Sequence, residues 1–402
     1  MKKNKKKTKK WIKARHTIVR KILSPFVCMI SRRKFGLRAK KFKEQGKRNY
    51  LIIANHQTGF DQFFVERVFR GKMYFVASED LFSNGFASKL LRYFFAPIPI
   101  KKQLADMRAV MNVVKVAKEG ASIMVFPEGN RTFSGTTEYF KPAIVKLAKL
   151  TGLPIAFVRI EGGYGTEPRW ANKSRKGRST AYVSKIVEPE EYKKLSEEEL
   201  FTMITENIYV DEREIDGQYK SKRLAEYVER ALYVCPHCGL TTFYSNKNEF
   251  KCLKCGRTAT YNTDKTLSGD FEFKFVKEWY DYQKEFINNL DLSTLTSEPV
   301  YTDTARFNEV RLYKNKIKLE KQATVSLYGD RITVNGKKHN FEFKFDDLSA
   351  VTVLGRNKVN LYFNDKVYQI KPEKRFNALR YVHFFNRYIN IKENNGNEFL
   401  GL

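Results

Sequence analysis

Tyr50-Leu-Ile-Ile-Ala54 runs directly into Asn55-His56-Gln57-Thr58-Gly59-Phe60-Asp61, and this stretch decides how the first half of the 402-residue chain is read. The apolar run reads as a buried strand. The seven residues after it place a histidine, a glycine and an aspartate where that strand meets a helix expected over Phe60–Phe69. On one continuous helix His56 and Asp61 would stand about 140° apart and could not touch. With His56 on a loop and Asp61 in the first helical turn they can meet, and Gly59 frees the backbone for the bend. A carboxylate on one imidazole nitrogen fixes the tautomer and leaves the other to accept a proton. By itself the pairing is weak evidence, because a lone histidine is more often structural than catalytic.

Outward from this stretch the chain alternates. Met73–Ala77, Ser122–Phe126 and Pro154–Ile160 read as short strands, and Tyr93–Ile100 as a strand beside a turn. Gln103–Lys118 and Lys141–Leu150 carry helical spacing. The alternation predicts an α/β domain, a mixed sheet flanked by helices with its working loops at strand ends. A second strand end reads Phe126-Pro127-Glu128-Gly129-Asn130-Arg131-Thr132. Pro127 and Gly129 force a tight turn that brings Glu128 and Arg131 close, and Arg131 offers a fork suited to phosphate. An ordinary turn with a surface ion pair is the plain alternative.

Taken together, His56-x-x-x-x-Asp61 at a strand end and Phe126-Pro-Glu-Gly-x-Arg131 about 70 residues later resemble the glycerolipid acyltransferase family, in particular the 1-acyl-sn-glycerol-3-phosphate acyltransferases. The resemblance covers roughly residues 50–190, and Gly152-Leu-Pro154-Ile-Ala-Phe-Val158 is similar to the family's fourth motif. It implies that His56 is the general base, that Asp61 supports it, and that basic residues of the second and third motifs hold the acceptor's phosphate. Lys101, Lys102, Glu128, Gly129 and Arg131 are the substrate-binding candidates it yields. Lys102 stands where the family usually has Arg, which keeps an anionic acceptor but opens its identity. The implied reaction is direct transfer of a fatty acyl group from a thioester, acyl-CoA or acyl carrier protein, to the hydroxyl of a lysophosphatidic-acid-type acceptor.

Charge agrees with a polyanionic partner. Lys+Arg number 75 against 44 Asp+Glu, a net +31, and residues 1–48 alone hold 14 Lys and 6 Arg against Glu44. The first ten residues are mostly lysine and read as a basic tail. Val19, Ile22, Leu23, Phe26 and Ile30 then recur at helical spacing between basic residues, the pattern of a helix lying in a membrane interface, with Pro25 expected to kink or divide it. A surface helix packed on its own domain, or a nucleic-acid contact, would use the same pattern. The longest charge-free run, Ala231–Asn246, contains two cysteines and several polar residues, so no conventional transmembrane helix is expected. The expected location is the cytoplasmic face of the cell membrane, peripheral (monotopic), on an anionic lipid surface.

In the second half, Glu197–Asn207 and Lys220–Leu232 show helical spacing. Cys235-Pro-His-Cys238 and Cys252-Leu-Lys-Cys255 follow, separated by thirteen residues, with Gly239 and Gly256 after each pair. Two such knuckles joined by a hairpin resemble a zinc ribbon, with four thiolates on a structural Zn2+ and His237 not needed as a ligand. Cys28 stands alone. Basic and aromatic residues around the ribbon leave nucleic acid as a rival partner, judged unlikely beside a purely structural use of zinc. After a helix over Phe273–Leu290 the chain becomes β-rich, with short strands at Ala323–Tyr328, Arg331–Val334, Asn340–Phe345, Leu348–Leu354, Lys358–Phe363 and Lys366–Ile370. A final helix from Lys374 to about Ile389 closes a pattern that resembles a pleckstrin-homology-like (PH-like) α+β barrel.

The expected organisation is a basic amphipathic membrane-binding segment (1–48), an acyltransferase domain (49–195), a helical connector (196–232), a zinc ribbon (233–262), a helical linker (263–298) and a PH-like module (299–402). The same chemistry on another lysophospholipid, a glycolipid or glycerol 3-phosphate is the alternative within this class. A non-catalytic lipid- or nucleic-acid-binding scaffold is the alternative outside it.

Overall fold

The computed structural model describes residues 10–83, 85–100, 107–311, 314–394 and 396–401. The first nine residues of the basic tail, and Lys101 and Lys102, lie outside the described residues.

The chain enters through helix α1 (Ala14–Phe35), which carries Arg32, Arg33 and Lys34 in its last turn, where cations favour the helix dipole. It stops at Gly36, whose φ of 56° and whose approach to the carbonyl of Gly177 leave no room for a Cβ. The break expected at Pro25 does not occur. Pro25 sits inside one helix on its exposed side, where water can serve the carbonyl that loses its partner.

Seven strands follow as β1 (Leu37–Ala39), β2 (Leu51–Ala54), β3 (Met73–Ser78), β4 (Ile98–Ile100), β5 (Ser122–Val125), β6 (Ile155–Glu161) and β7 (Ser179–Val187). They form one sheet in the order β1-β7-β6-β2-β5-β3-β4, parallel except where β7 runs against β6. This is the mixed sheet expected from the alternation. Around it lie α2 (Asp61–Val68), α3 (Gly85–Phe94), α4 (Met107–Lys118), α5 (Ala143–Thr151), the short turns α6 (Gly163–Thr166) and α7 (Pro189–Tyr192), and α8 (Glu197–Ile208). The strand expected over Tyr93–Ile100 is divided. Tyr93 and Phe94 end α3, because Phe86, Leu90 and Tyr93 recur at helical spacing, and only Ile98–Ile100 pairs with β3. Helix α8 starts on a capping box between Ser196 and Glu199 and buries Leu200, Ile204 and Ile208 against the sheet's core.

The helix expected over Lys220–Leu232 does not form. Only Val228–Arg230 makes a single 3-10 turn. Its backbone bonds elsewhere: Lys220 exchanges both bonds with Lys176, the Ala225 N–H donates to the Lys247 carbonyl, and the Tyr227 N–H donates to Ser245 Oγ. Leu224, Val228 and Leu232 are still buried, so the apolar spacing marks a core segment of a different shape.

Next comes a two-stranded pair, β8 (Val234–Cys235) with β9 (Gly239–Leu240), and then an antiparallel sheet of β10 (Phe243–Asn246), β11 (Glu249–Cys252), β12 (Thr258–Tyr261) and β13 (Leu267–Gly269). Helix α9 (Val276–Asn288) connects to a seven-stranded antiparallel sheet. Its strands are β14 (Tyr301–Val310), β15 (Ile317–Leu327), β16 (Arg331–Asn335), β17 (Asn340–Lys344), β18 (Leu348–Leu354), β19 (Lys358–Phe363) and β20 (Lys366–Pro372), in the order β17-β16-β15-β14-β20-β19-β18. Among the described residues this ladder ends at β17 and β18 and does not close. Helix α10 (Leu379–Glu393) packs against β18, starting five residues later than the sequence suggested.

The second half is not strung loosely behind the first. One continuous core runs from Phe133 and Trp170 of the first sheet's loops through Phe243 and Trp279 to Val353 and Phe384. Arg169 pins the junction. It is 1 % exposed and donates to the carbonyls of Arg131, Gly355 and Val353 and to Asn130 Oδ1, at 2.7, 2.7, 3.3 and 3.2 Å. Replacing it by leucine strands those buried acceptors, each worth about 1–3 kcal/mol when left unmade. Arg169→Leu is therefore expected to raise amide hydrogen exchange across residues 353–357 while leaving β2 and β5 protected. Unchanged exchange at that turn would refute the pinning role.

Candidate active site

The site is built on three adjacent parallel strands, β6, β2 and β5, whose carboxyl ends lie side by side. Asn55 locks two of them, donating through Nδ2 to the Ile160 carbonyl and accepting from the Ile160 N–H, both at 2.8 Å. The loop after β2 then turns on Asp61, which is fully buried as the first residue of α2. Asp61 Oδ2 accepts from His56 Nδ1 at 2.8 Å, from the Gln57 N–H at 2.6 Å and from the Thr58 N–H at 2.9 Å, and Oδ1 accepts from Thr58 Oγ1 at 2.6 Å. An ionised carboxylate only accepts, so Nδ1 is the protonated nitrogen and Nε2 the basic one. The imidazole stacks on Phe126, with ring centroids 4.4 Å apart and planes 17° apart. The turn over residues 58–60 brings His56 and Asp61 together, with Gly59 outside the left-handed region.

The loop after β5 is held against this one. Glu128 Oε1 accepts from the His56 N–H at 2.7 Å and Oε2 from the Glu138 N–H at 3.0 Å, while the Thr132 N–H donates to the His56 carbonyl at 3.1 Å. The turn itself is closed by Gly129, whose φ is 65° and whose N–H donates to the Phe126 carbonyl. Both Glu128 oxygens serve backbone amides, so this residue ties loops together instead of pairing with Arg131 as the turn reading anticipated. Arg131 pairs with Glu167 Oε2 at 3.7 Å. Burial pushes the Arg131 guanidinium below its ordinary range, against the opposing pull of Glu167 and with Arg356 adding to the push.

Glu167 comes from the loop after β6 and was not anticipated. The glycine-rich run Gly162-Gly163-Tyr164-Gly165 before it lets this loop pack on the one after β2, since a Cβ at Gly163 would meet Gln57 Oε1 at 2.6 Å. Glu167 also meets Lys34 at 3.5 Å, Arg356 at 3.2 Å and the Gly59 N–H at 3.2 Å. Lys34 lies in the last turn of α1, and Arg356 lies on the turn between β18 and β19, more than 180 residues after Glu167 in sequence.

The four cysteines form a second cluster. The sulfurs of Cys235, Cys238, Cys252 and Cys255 all lie within 4.8 Å of one another, with Cys235 Sγ 3.9 Å from Cys255 Sγ. A tetrahedral ion with bonds of about 2.3 Å needs sulfurs about 3.8 Å apart, so the donor set fits zinc. The Lys254 N–H and Thr241 Oγ1 each lie 3.4 Å from Cys252 Sγ, where they stabilise a thiolate. His237 bonds Arg257 through Nε2 at 2.7 Å and stands apart from the four-sulfur set.

Comparison with known proteins finds similarity over part of the chain. The acyltransferase family model matches residues 33–161, about a third of the chain and the part that holds His56, Asp61 and Arg131. The 1-acyl-sn-glycerol-3-phosphate acyltransferase of Borreliella burgdorferi is 29 % identical over 110 residues, covering 27 % of this chain and 44 % of that protein. A probable 1-acyl-sn-glycerol-3-phosphate acyltransferase of Mycoplasma pneumoniae is 27 % identical over 126 residues, covering 30 % of this chain and 47 % of that protein. The chain therefore spans less than half the length of these curated relatives. The crystal structure of the 1-acyl-sn-glycerophosphate (LPA) acyltransferase PlsC from Thermotoga maritima aligns at 26 % identity and a TM-score of 0.42, over 48 % of this chain and 78 % of that one.

Burial drives the Glu128 carboxyl well above its ordinary value of 4.5, its two amide bonds and neighbouring charges being smaller influences. The folded state thus takes up this proton more readily than the unfolded chain. Its contribution to stability is complete below pH 4.5 and is lost as pH rises through the raised value. Glu128→Gln removes that titration. The melting temperature of Glu128→Gln relative to wild type is expected to rise as the pH is raised above 4.5, and a difference flat with pH would contradict the shift.

Proposed function

We propose that this protein is a membrane-associated O-acyltransferase of the 1-acylglycerol-3-phosphate type. The observation that carries the reading is the His56–Asp61 pair at 2.8 Å, set one strand away from Arg131 at the carboxyl edge of the sheet. In this reading Nε2 of His56 takes the proton of the acceptor hydroxyl as its oxygen attacks the thioester carbonyl. The C–S bond then breaks, and the thiolate receives the proton back from the imidazolium. Asp61 keeps the imidazole in the right tautomer, as the orienting carboxylate does in other hydrolase and transferase sites. Arg131 serves the acceptor's phosphate, Glu128 and Gly129 shape its turn, and Lys101 and Lys102 keep the phosphate-binding role the resemblance implies. The donor is a thioester of CoA or of acyl carrier protein.

An apolar stripe supports work at a bilayer. Ile18, Ile22, Phe26 and Met29 on α1 are exposed, at three- and four-residue spacing, as are Phe86, Leu90 and Tyr93 on α3, which packs against α1. Burying such side chains in lipid is worth about 1.5–3 kcal/mol each, and the basic residues of the amino-terminal segment add attraction to anionic head groups. No helix among the described residues is long and apolar enough to cross a membrane. We place the protein on the cytoplasmic leaflet as a peripheral (monotopic) protein. Purified protein on anionic liposomes is expected to acylate lysophosphatidic acid from acyl-CoA or acyl carrier protein, with His56→Ala at least about 100-fold slower and equally folded. Full activity in that variant would sink the assignment.

We read the cysteine cluster as a zinc ribbon and the β14–β20 sheet with α10 as a PH-like module. Four thiolates leave no open position, so the ion holds structure together and takes no part in acyl transfer. Metal analysis is expected to find about one zinc per chain. Because the ribbon shares its core with the rest of the second half, chelation or Cys252→Ser is expected to lower the melting temperature and release thiols. Zinc-free protein with an unchanged melting temperature would rule the site out.

A further inference from the structure

Three cations of separate origin converge on one carboxylate beside the catalytic pair. Arg131 approaches Glu167 Oε2, while Lys34 and Arg356 approach Oε1, at 3.7, 3.5 and 3.2 Å. Glu167 balances one of the three charges. Asp61, whose field also reaches Arg131, is committed to His56 and to its own loop. Among the described residues, Arg131 Nη1 and Arg356 Nε are buried without a hydrogen-bond partner. Buried guanidinium donors are costly to leave unmade, and here two of them belong to the cations that flank Glu167. The Gly59 Cα is close to both groups, since a Cβ built there lies 3.7 Å from Glu167 Oε2 and 3.9 Å from Arg131 Nη1. The cluster therefore lies next to the loop that carries His56.

Arg356 is held in place from both sides. The Gly355 carbonyl accepts from buried Arg169 Nε at 2.7 Å, and Asn357 Nδ2 donates to the Glu373 carbonyl at 2.7 Å. Gly355 has a φ of 64°, which gives the turn its shape. A long side chain on an exposed turn would ordinarily be mobile, but this one is aimed at the first domain's site.

We propose that Arg356 is an acceptor-binding residue. The turn between β18 and β19 delivers it beside Arg131 and Lys34, so that the three cations hold the phosphate monoester of the acyl acceptor and the carboxyl-terminal module forms one wall of the active site. This rests on the acyltransferase reading above and adds a residue from outside the family domain. A phosphate monoester carries about −1.5 to −2 charge at pH 7, which matches the surplus of two left by three cations and Glu167. The planar forks of Arg131 and Arg356 suit its oxygens, and Lys34 adds a point charge.

The test uses the full chain with two acceptors that share a reactive hydroxyl, lysophosphatidic acid and monoacylglycerol, the second lacking the phosphate. Arg356→Gln is expected to raise the lysophosphatidic acid KM about tenfold or more, with kcat and the donor KM within about twofold. Arg356→Lys should recover much of the loss, and monoacylglycerol turnover should not respond to either change. An unchanged acceptor KM would overturn the proposal and leave the acyltransferase reading standing. A fall in kcat shared by both acceptors would overturn it too, as the mark of a structural role. Should wild type turn over neither acceptor, calorimetric titration with glycerol 3-phosphate decides. Binding lost in Arg356→Gln would retain the phosphate site without the reaction, and absent or equal binding would reject both.

Discussion

The guanidinium of Arg169 is removed from water, and the placement of the site follows from what that burial demands. A buried cation is tolerated only when its donors are met. Here the acceptors come from the loop after β5 and from the end of β18, two places that share neither sheet nor sequence neighbourhood. Neither can move without stranding the cation, so the carboxyl-terminal sheet and the Arg131 turn are fixed relative to each other. The ring of Phe133 closes the set, with the guanidinium 4.3 Å from its centroid.

Within that frame two buried carboxylates have opposite tasks. Asp61 gathers four donors, one of them an imidazole, and so ties the His56 ring to the loop that carries it. Glu128 gathers two backbone amides from different segments and touches no reactive group. One holds an imidazole and the other ties two loops together, although the motif presents them as equals. The difference is geometric: Asp61 lies at a helix start facing back toward its own loop, whereas Glu128 points across to the neighbouring strand's loop.

Much of this was legible in the residues, for identifiable reasons. Short apolar runs such as Tyr50–Ala54 have few alternatives to a buried strand, and turn residues bound them. His56 and Asp61 are five residues apart, so their meeting depends on one local bend. Glu167, Lys34 and Arg356 lie far apart in sequence and meet only because three strand ends, a helix end and a distant hairpin share one corner. Nothing local to any of them marks that. The segment 220–232 failed in the other direction: its apolar spacing was real, but its amides found partners in β10 and the β10–β11 turn that no local reading contains. Strand β14 was missed because Thr302, Asp303 and Thr304 interrupt its apolar pattern.

The carboxylate at the centre of the cation niche has a physical reason to be there. Three positive groups brought together with no counter-charge would repel one another, most strongly where water is scarce. Glu167 removes one charge and, through the Gly59 N–H, fixes the group to the loop that carries His56. A ligand with two negative charges would still find an excess to bind. Lys34 gives this corner a mechanical link as well. It lies in the last turn of α1, a helix of 22 residues and about 33 Å, whose earlier turns expose Ile18, Ile22 and Phe26. The apolar stripe and the cation beside Glu167 thus belong to one helix. On the proposed acyltransferase reading, an acceptor whose acyl chain stays in a bilayer and whose phosphate leaves it would meet both contacts along a single element, with the imidazole one loop away.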